Sequence, residues 1–173
     1  MKPIIALLTL MAAAVAAIAA DQVHWTNAVK VLGCSTDSDE FREITAAYGI
    51  PTRSQSGSSE EIGFNAVGIA FKTEAGRVVE VQLQIAPGKA IGDAGYSGGL
   101  PKNVEYAGSS PDDAVRILGE PLSDVKSEYR KLTYLINENL MTLHYAPQLD
   151  FVTFTNQPTE HDAAGKGFQP SLR

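Results

Sequence analysis

The chain has 173 residues, a formal charge of −6 at pH 7 and 44 % hydrophobic residues. The apolar fraction is too high for a disordered acidic chain. The excess of acid argues against a nucleic-acid-binding protein, which needs basic surface to displace counterions. A single Cys excludes an intramolecular disulfide and a multi-thiolate zinc site, and the length suits one domain.

Residues 1–19 predict a cleaved signal peptide. Lys2 precedes an apolar run that ends in small residues, and Ala17-Ile18-Ala19 fits the cleavage pattern. A membrane anchor is the alternative, but the run is Ala-rich and short for a span. Cleavage removes one base, which leaves 154 residues and moves the formal charge from −6 to −7. Because no Cys follows the cleavage site directly, we expect an exported protein that is not anchored to the membrane by a lipid.

Two short helices are predicted next. The first has an apolar face with helical spacing and ends at Gly33. That face consists of Trp25, Ala28, Val29 and Leu32. The second helix begins near Asp37, because Asp37 and Glu40 have capping-box spacing, and it ends at Gly49. Residues 52–61 are polar and rich in Ser, which predicts a loop.

The rest of the chain alternates between strands and one more helix. Residues 69–85 predict an antiparallel hairpin with a turn at 73–76, because apolar and polar residues alternate after the turn. Ser110 is a natural N-cap for a third helix, with Pro111 at its first position. Three further strands are predicted, at 132–136, 141–145 and 151–154. The last residues, 158–173, are predicted to form a polar C-terminal tail.

A weak internal symmetry accompanies these elements. Gly49-Ile50-Pro51 matches Gly119-Glu120-Pro121, and each motif follows a helix and precedes a polar stretch and a hairpin. Two repeated helix-plus-hairpin units would explain this pattern, and chance recurrence of a common helix stop is the alternative. Either interpretation predicts a strand-rich α+β fold with an antiparallel sheet, in a single domain over 20–157.

No catalytic, metal or cofactor motif emerges from the residues. Cys34 is accompanied by His24, His144 and His161, but none has the context of a Cys/His nucleophile, and Cys34 is typical of a small buried residue. His144 lies beside Thr142 on the expected wet face of a strand. We therefore expect no enzyme, no metal and no cofactor, with a Cys34 thiol enzyme as the minor alternative.

The segment from residue 88 to Pro111 is long and rich in Gly, which favours a functional loop or a linker. Its last part contains Tyr106, Gly108 and the neighbouring hydroxyls of Ser109 and Ser110. One interpretation is helix capping by Ser110. The other is a protruding tip that enters a partner's cleft, where small hydroxyls can donate and accept hydrogen bonds. The two are compatible.

The export signal, the acidic strand-rich domain and the Gly108-Ser109-Ser110 stretch resemble periplasmic immunity proteins. Those proteins protect bacteria from peptidoglycan amidases delivered by type VI secretion systems. The nearest resemblance is to the immunity partner of an NlpC/P60-type cysteine amidase. It implies that Tyr106, Gly108, Ser109 and Ser110 bind the toxin, with both hydroxyls near its catalytic His and Cys.

A second resemblance points to a different class of protein. The run from Ser110 to Pro121 is similar to the helix stop of small outer-membrane assembly lipoproteins. This chain lacks the lipid-bearing Cys of those proteins, which lowers the weight of that interpretation. A generic periplasmic envelope-assembly or binding module without a toxin partner is therefore the alternative function.

Overall fold

The computed structural model describes residues 23–85, 95–96, 98–101, 103–104 and 110–156. The predicted signal peptide and the polar tail lie outside these residues. Three short helices are present in the described part of the chain. They are α1 (Trp25–Lys30), α2 (Asp39–Thr45) and α3 (Pro111–Leu118).

Eight strands form one antiparallel sheet in the order β1-β2-β3-β4-β8-β7-β6-β5. The strands are β1 (Thr52–Ser56), β2 (Ser59–Phe64), β3 (Ile69–Glu74), β4 (Arg77–Gln84), β5 (Ser123–Lys126), β6 (Arg130–Ile136), β7 (Asn139–Tyr145) and β8 (Leu149–Asn156). The fold is therefore strand-rich α+β, as the sequence predicts.

The sheet consists of two similar halves. In each half a helix leads into a four-stranded antiparallel meander, and the two last strands, β4 and β8, pair at the centre. Each half is thus longer than the predicted helix-plus-hairpin unit. The matching helix stops also share a backbone conformation, because Gly49 has φ +93° and Gly119 has φ +89°. Glycine suits both positions because it adopts positive φ without steric cost.

All three helices belong to one side of the sheet. Strand side chains point alternately to the two faces, and those on the helix side form the core. Phe41 of α2 meets Phe71 of β3 edge to face at 5.3 Å, and Trp25 of α1 stacks on Phe154 of β8. The opposite side is called here the helix-free face. It carries the other set of alternating residues, which are mostly polar.

The predicted loop at 52–61 is wrong, because these residues form β1 and the start of β2. A fourth strand of the second half, β5, was likewise not predicted. Both β1 and β5 are edge strands with every residue exposed. An edge strand exposed on both faces has no need for alternating apolar residues, so it leaves no period-two pattern in the sequence.

The start of the second helix also differs from the prediction. Ser38 rather than Asp37 is the N-cap of α2, and its hydroxyl accepts the Phe41 N–H at 3.2 Å. Ser38 and Phe41 stand at the N-cap and N3 positions, the spacing that a capping side chain needs. The Asp37 and Glu40 pair therefore does not form the predicted capping box.

Candidate functional site

Ser110 is the one predicted partner-binding residue that the structure describes; Tyr106, Gly108 and Ser109 lie outside the described residues. Ser110 is the N-cap of α3, as predicted, with Pro111 in the first turn. Its Oγ accepts the Asp113 N–H at 3.1 Å and donates to Asp113 Oδ2 at 2.9 Å. The half-buried hydroxyl is therefore held on the helix by two hydrogen bonds.

Ionic contacts tie the start of α3 to the sheet. Arg130 of β6 donates to Asp112 Oδ1 at 2.7 Å and to both carboxylate oxygens of Asp124 in β5, at 3.0 and 3.1 Å. The Arg130 hydrogen bonds lower the pKa of Asp124. Arg130 itself is three-quarters covered, so the segment that ends at Ser110 joins a helix that is fixed to two strands.

The Asp113 carboxylate has two partners of its own. Hydrogen bonds from Arg116, at 2.7 Å, and from Ser110 lower the pKa of Asp113. A charged carboxylate near a helix N-terminus also interacts favourably with the helix dipole. Asp113 is therefore held in its charged form, and the first turn of α3 carries a double negative charge with the neighbouring Asp112.

The long Gly-rich segment contributes to the core as well as to the surface. Tyr96 is 8 % exposed, and the backbone carbonyls of Val23 and Gly99 share the single proton of its hydroxyl at 3.0 and 3.1 Å. Val104 is fully buried. Burial raises the pKa of Tyr96. These described parts of the segment are thus packed against the domain.

The Cys and His residues that the sequence singled out are dispersed. Cys34 is half-buried at the end of α1, with Sγ 3.8 Å from the Lys30 carbonyl, rather than the buried residue we expected. His24 caps α1 and lies 2.9 Å from Thr26 Oγ1. Both contacts are local, and they give Cys34 and His24 structural roles at opposite ends of one helix. His161 lies outside the described residues.

His144 occupies a different environment from the predicted one. It lies on the helix-free face but is only 8 % exposed, and its ring stacks on Phe151 with centroids 4.0 Å apart. Nε2 lies 3.1 Å from Thr153 Oγ1. Burial lowers the pKa of His144 to about 4, so the ring is neutral at pH 7. The side chain of His144, which we expected to be exposed to solvent, is therefore buried.

Two absences are observed in the described part of the chain. No group of three or more His, Cys, Asp or Glu residues is arranged to hold a metal ion. Within the same residues, no helix has the length and apolar character needed to cross a membrane.

Comparisons with known proteins give little further information. No protein-family model and no curated protein matches the chain. Among solved structures, the chain is similar to an extracellular protein containing a SCP domain from Bacillus anthracis str. Ames, with 13 % identity and a TM-score of 0.47. The match covers 75 % of this chain and 45 % of that protein, so the chain spans less than half of its length.

Proposed function

We propose that this protein is a periplasmic immunity protein that inhibits a secreted peptidoglycan amidase. The residues around Ser109 and Ser110 would enter the active-site cleft of the toxin. The observation that carries the proposal is the double hydrogen bond between Ser110 and Asp113 at the base of this segment. An inhibitory loop needs rigid presentation, because ordering a flexible loop on binding costs affinity.

The Ser110 contacts restrict what this hydroxyl offers to a partner. A hydroxyl has one donor and two acceptor lone pairs. In Ser110 the donor goes to Asp113 Oδ2 and one lone pair accepts the Asp113 N–H. One acceptor site is left, and it matches a donor such as the ring N–H of a catalytic His. We therefore assign Ser110 to the His of a Cys/His amidase and Ser109 to its Cys.

The charge around the segment supports a basic partner surface. Asp112 is 87 % exposed beside Ser110. A shallow pocket between α3 and β5 has three acidic residues in its wall, Asp112, Glu120 and Asp124, and one cation, Arg130, which pairs with two of them, so its wall carries a net negative charge. Acidic residues next to the loop would accelerate encounter with a basic rim around the amidase cleft, and they would affect the association rate more than the dissociation rate.

The test is inhibition by the variants Ser109→Ala and Ser110→Ala, with Ser38→Ala as the matched control. Ser38 and Ser110 are both N-cap serines with the same N3 contact, but Ser38 lies on α2. The assay measures hydrolysis of peptidoglycan stem peptides by a secreted amidase encoded in an adjacent gene, if one is found there, with increasing amounts of each variant. We expect at least tenfold weaker inhibition by the Ser109 and Ser110 variants and unchanged inhibition by Ser38→Ala.

Two results would overturn the proposal. Equal loss in the Ser38 and Ser110 variants would mean that stability, not the loop, controls inhibition. If no secreted hydrolase binds the purified protein, and deletion of the gene disturbs the envelope in cells that have no such toxin, the envelope-assembly alternative is supported. A Cys34→Ser variant should inhibit normally, since the proposal gives the thiol no catalytic role.

A further inference from the structure

The strand β5 leaves one edge of the sheet open. All four of its residues, Ser123–Lys126, are exposed, and among the residues that the structure describes only β6 pairs with them. Val125 is 48 % exposed and the preceding Leu122 is 67 % exposed. The opposite edge strand, β1, has only polar residues. An exposed edge with apolar side chains is a template for pairing with another strand. Of the two sheet edges in the described residues, the β5 edge has this character and the β1 edge does not.

The backbone orientation of β5 determines which residues are available for pairing. The Ser127 N–H donates to the Tyr129 carbonyl at 3.3 Å, so Ser127 directs its main-chain groups toward β6. Main-chain direction alternates along an antiparallel strand. Val125, two residues earlier, therefore also faces β6, whereas Asp124 and Lys126 direct their N–H and C=O groups to the open edge.

We propose that two copies of this chain pair antiparallel through β5, with the two-fold axis at Val125. In this register Asp124 stands opposite Lys126 of the partner subunit, and the reverse pair forms by symmetry. Each of these pairs would exchange two main-chain hydrogen bonds. The two Val125 side chains would meet in the intervening non-hydrogen-bonded pair, where Cα atoms approach to about 4.5 Å.

The charges of Asp124 and Lys126 favour a two-fold axis at Val125 over an axis at another residue of β5. Residues that face the open edge must pair with each other, so the alternative two-fold axes at strand positions lie at Asp124, at Lys126 or at Ser123. An axis at Asp124 or Lys126 would place like charges directly opposite each other, which is destabilising; the repulsion is stronger at Lys126, because Arg130 partly neutralises Asp124. An axis at Ser123 would place Leu122 opposite Asp124 of the partner subunit, but the Leu122 N–H already donates to the Thr133 carbonyl of β6 at 2.8 Å. Only the axis at Val125 pairs opposite charges twice.

The contact would be weak. A single strand pair buries less than the roughly 1,200 Å² of a standard interface, and the formal charge of −6 opposes association of two copies. We therefore expect association at high concentration, with half of the chains paired at about 0.1–1 mM. This association does not depend on the proposed inhibition of an amidase.

Sedimentation equilibrium tests the pairing. The weight-average mass of the wild-type protein should rise toward twice the chain mass between about 10 μM and 1 mM. Val125→Lys should remain monomeric over this range, because it places two like charges together at the axis. Leu135→Lys is the matched control, since Leu135 is 52 % exposed but lies on β6, away from the edge. A monomeric wild type, or equal association of the Val125 variant, would overturn the proposal.

Disulfide trapping tests the register. In a Cys34→Ser background, Val125→Cys should form a covalent dimer under mild oxidation, because the expected Cα separation is within the range for a disulfide. Leu135→Cys in the same background should form at least tenfold less covalent dimer under the same conditions. Comparable cross-linking of the two variants would show random collision, and it would overturn the register at Val125.

Discussion

Trp25 stacks on Phe154 with ring centroids 5.3 Å apart and planes inclined by 13°. Trp25 belongs to the first helix, and Phe154 to the last strand. The contact therefore joins the two ends of the described chain across the core, and it places α1 of the first half over the central strand of the second half. Trp25 is 7 % exposed and Phe154 is fully buried.

We expect Trp25→Ala to lower the free energy of unfolding by about 3–5 kcal/mol, the usual cost of truncating a large buried aromatic. The loss should affect the whole domain, since both halves contribute to the contact. Urea unfolding followed by circular dichroism measures the change. Ile50→Ala is the control, because Ile50 is 94 % exposed, and its effect should stay within about 0.5 kcal/mol. Similar values for the two variants would contradict the assignment of Trp25 to the core.

Stability should fall as the pH falls from 6.5 toward 4, in part because of His144. Burial lowers its pKa to about 4, from an ordinary value of 6.5. Between these values the unfolded chain binds a proton that the folded chain excludes, so stability is present above pH 6.5 and is lost on acidification. With about 1.4 kcal/mol for each pKa unit, the loss near pH 4 amounts to about 3 kcal/mol.

The variant His144→Gln isolates this contribution. Gln keeps a polar group near Thr153 Oγ1 but does not titrate. The stability difference between pH 7 and pH 4.5 should be smaller in the variant than in the wild type, measured by urea unfolding at both pH values. Equal pH dependence, or an imidazole that titrates near 6.5 by NMR, would show that the ring is exposed to solvent.

The two N-cap serines, Ser38 and Ser110, should contribute similar amounts to the free energy of unfolding. Ser38→Ala and Ser110→Ala each remove the side-chain acceptor of a backbone N–H in the first turn of a helix, so each should lower the free energy of unfolding by about 1 kcal/mol. Replacement by Gly should cost only a few tenths. Thermal or urea unfolding of all four variants measures these differences. A neutral Ser110→Ala variant would contradict the cap.

A substitution in the turn between β6 and β7 should stabilise the protein. Asn137 and Glu138 both have positive φ, +46° and +68°, a conformation that glycine adopts with less strain than Glu. Glu138→Gly should therefore raise the free energy of unfolding by about 0.5–1 kcal/mol. The matched control is Gly76→Glu, which places the same residue type at a positive φ of +74° in the two-residue turn between β3 and β4 and should be destabilising. A destabilised Glu138→Gly variant would contradict the turn geometry.

The predictions from sequence succeeded where burial leaves a periodic pattern. β4 alternates because one of its faces is in the core, and α3 was located by Ser110 and Pro111, which act within one helical turn. β1, β2 and β5 are not predicted. β1 and β5 bury no side chain and are held by main-chain hydrogen bonds to a neighbour, which do not depend on residue type. β2 begins in the polar Ser-rich stretch and buries only its last three residues, too few to show a period of two. The covered position of His144 was missed for a related reason, since burial on that face depends on Phe151 of the next strand.

The sequence by itself determined the three helix positions, five of the eight strands and the α+β class, because capping, helix stops and alternation act over a few residues. It also gave the candidate loop and placed Ser110 at its base. Only the tertiary structure decided that β4 and β8 join two meanders into one sheet, that Arg130 ties α3 to β5, and that the β5 edge is open. Those features arise from pairing between residues far apart in the chain, for which local sequence carries no physical signal.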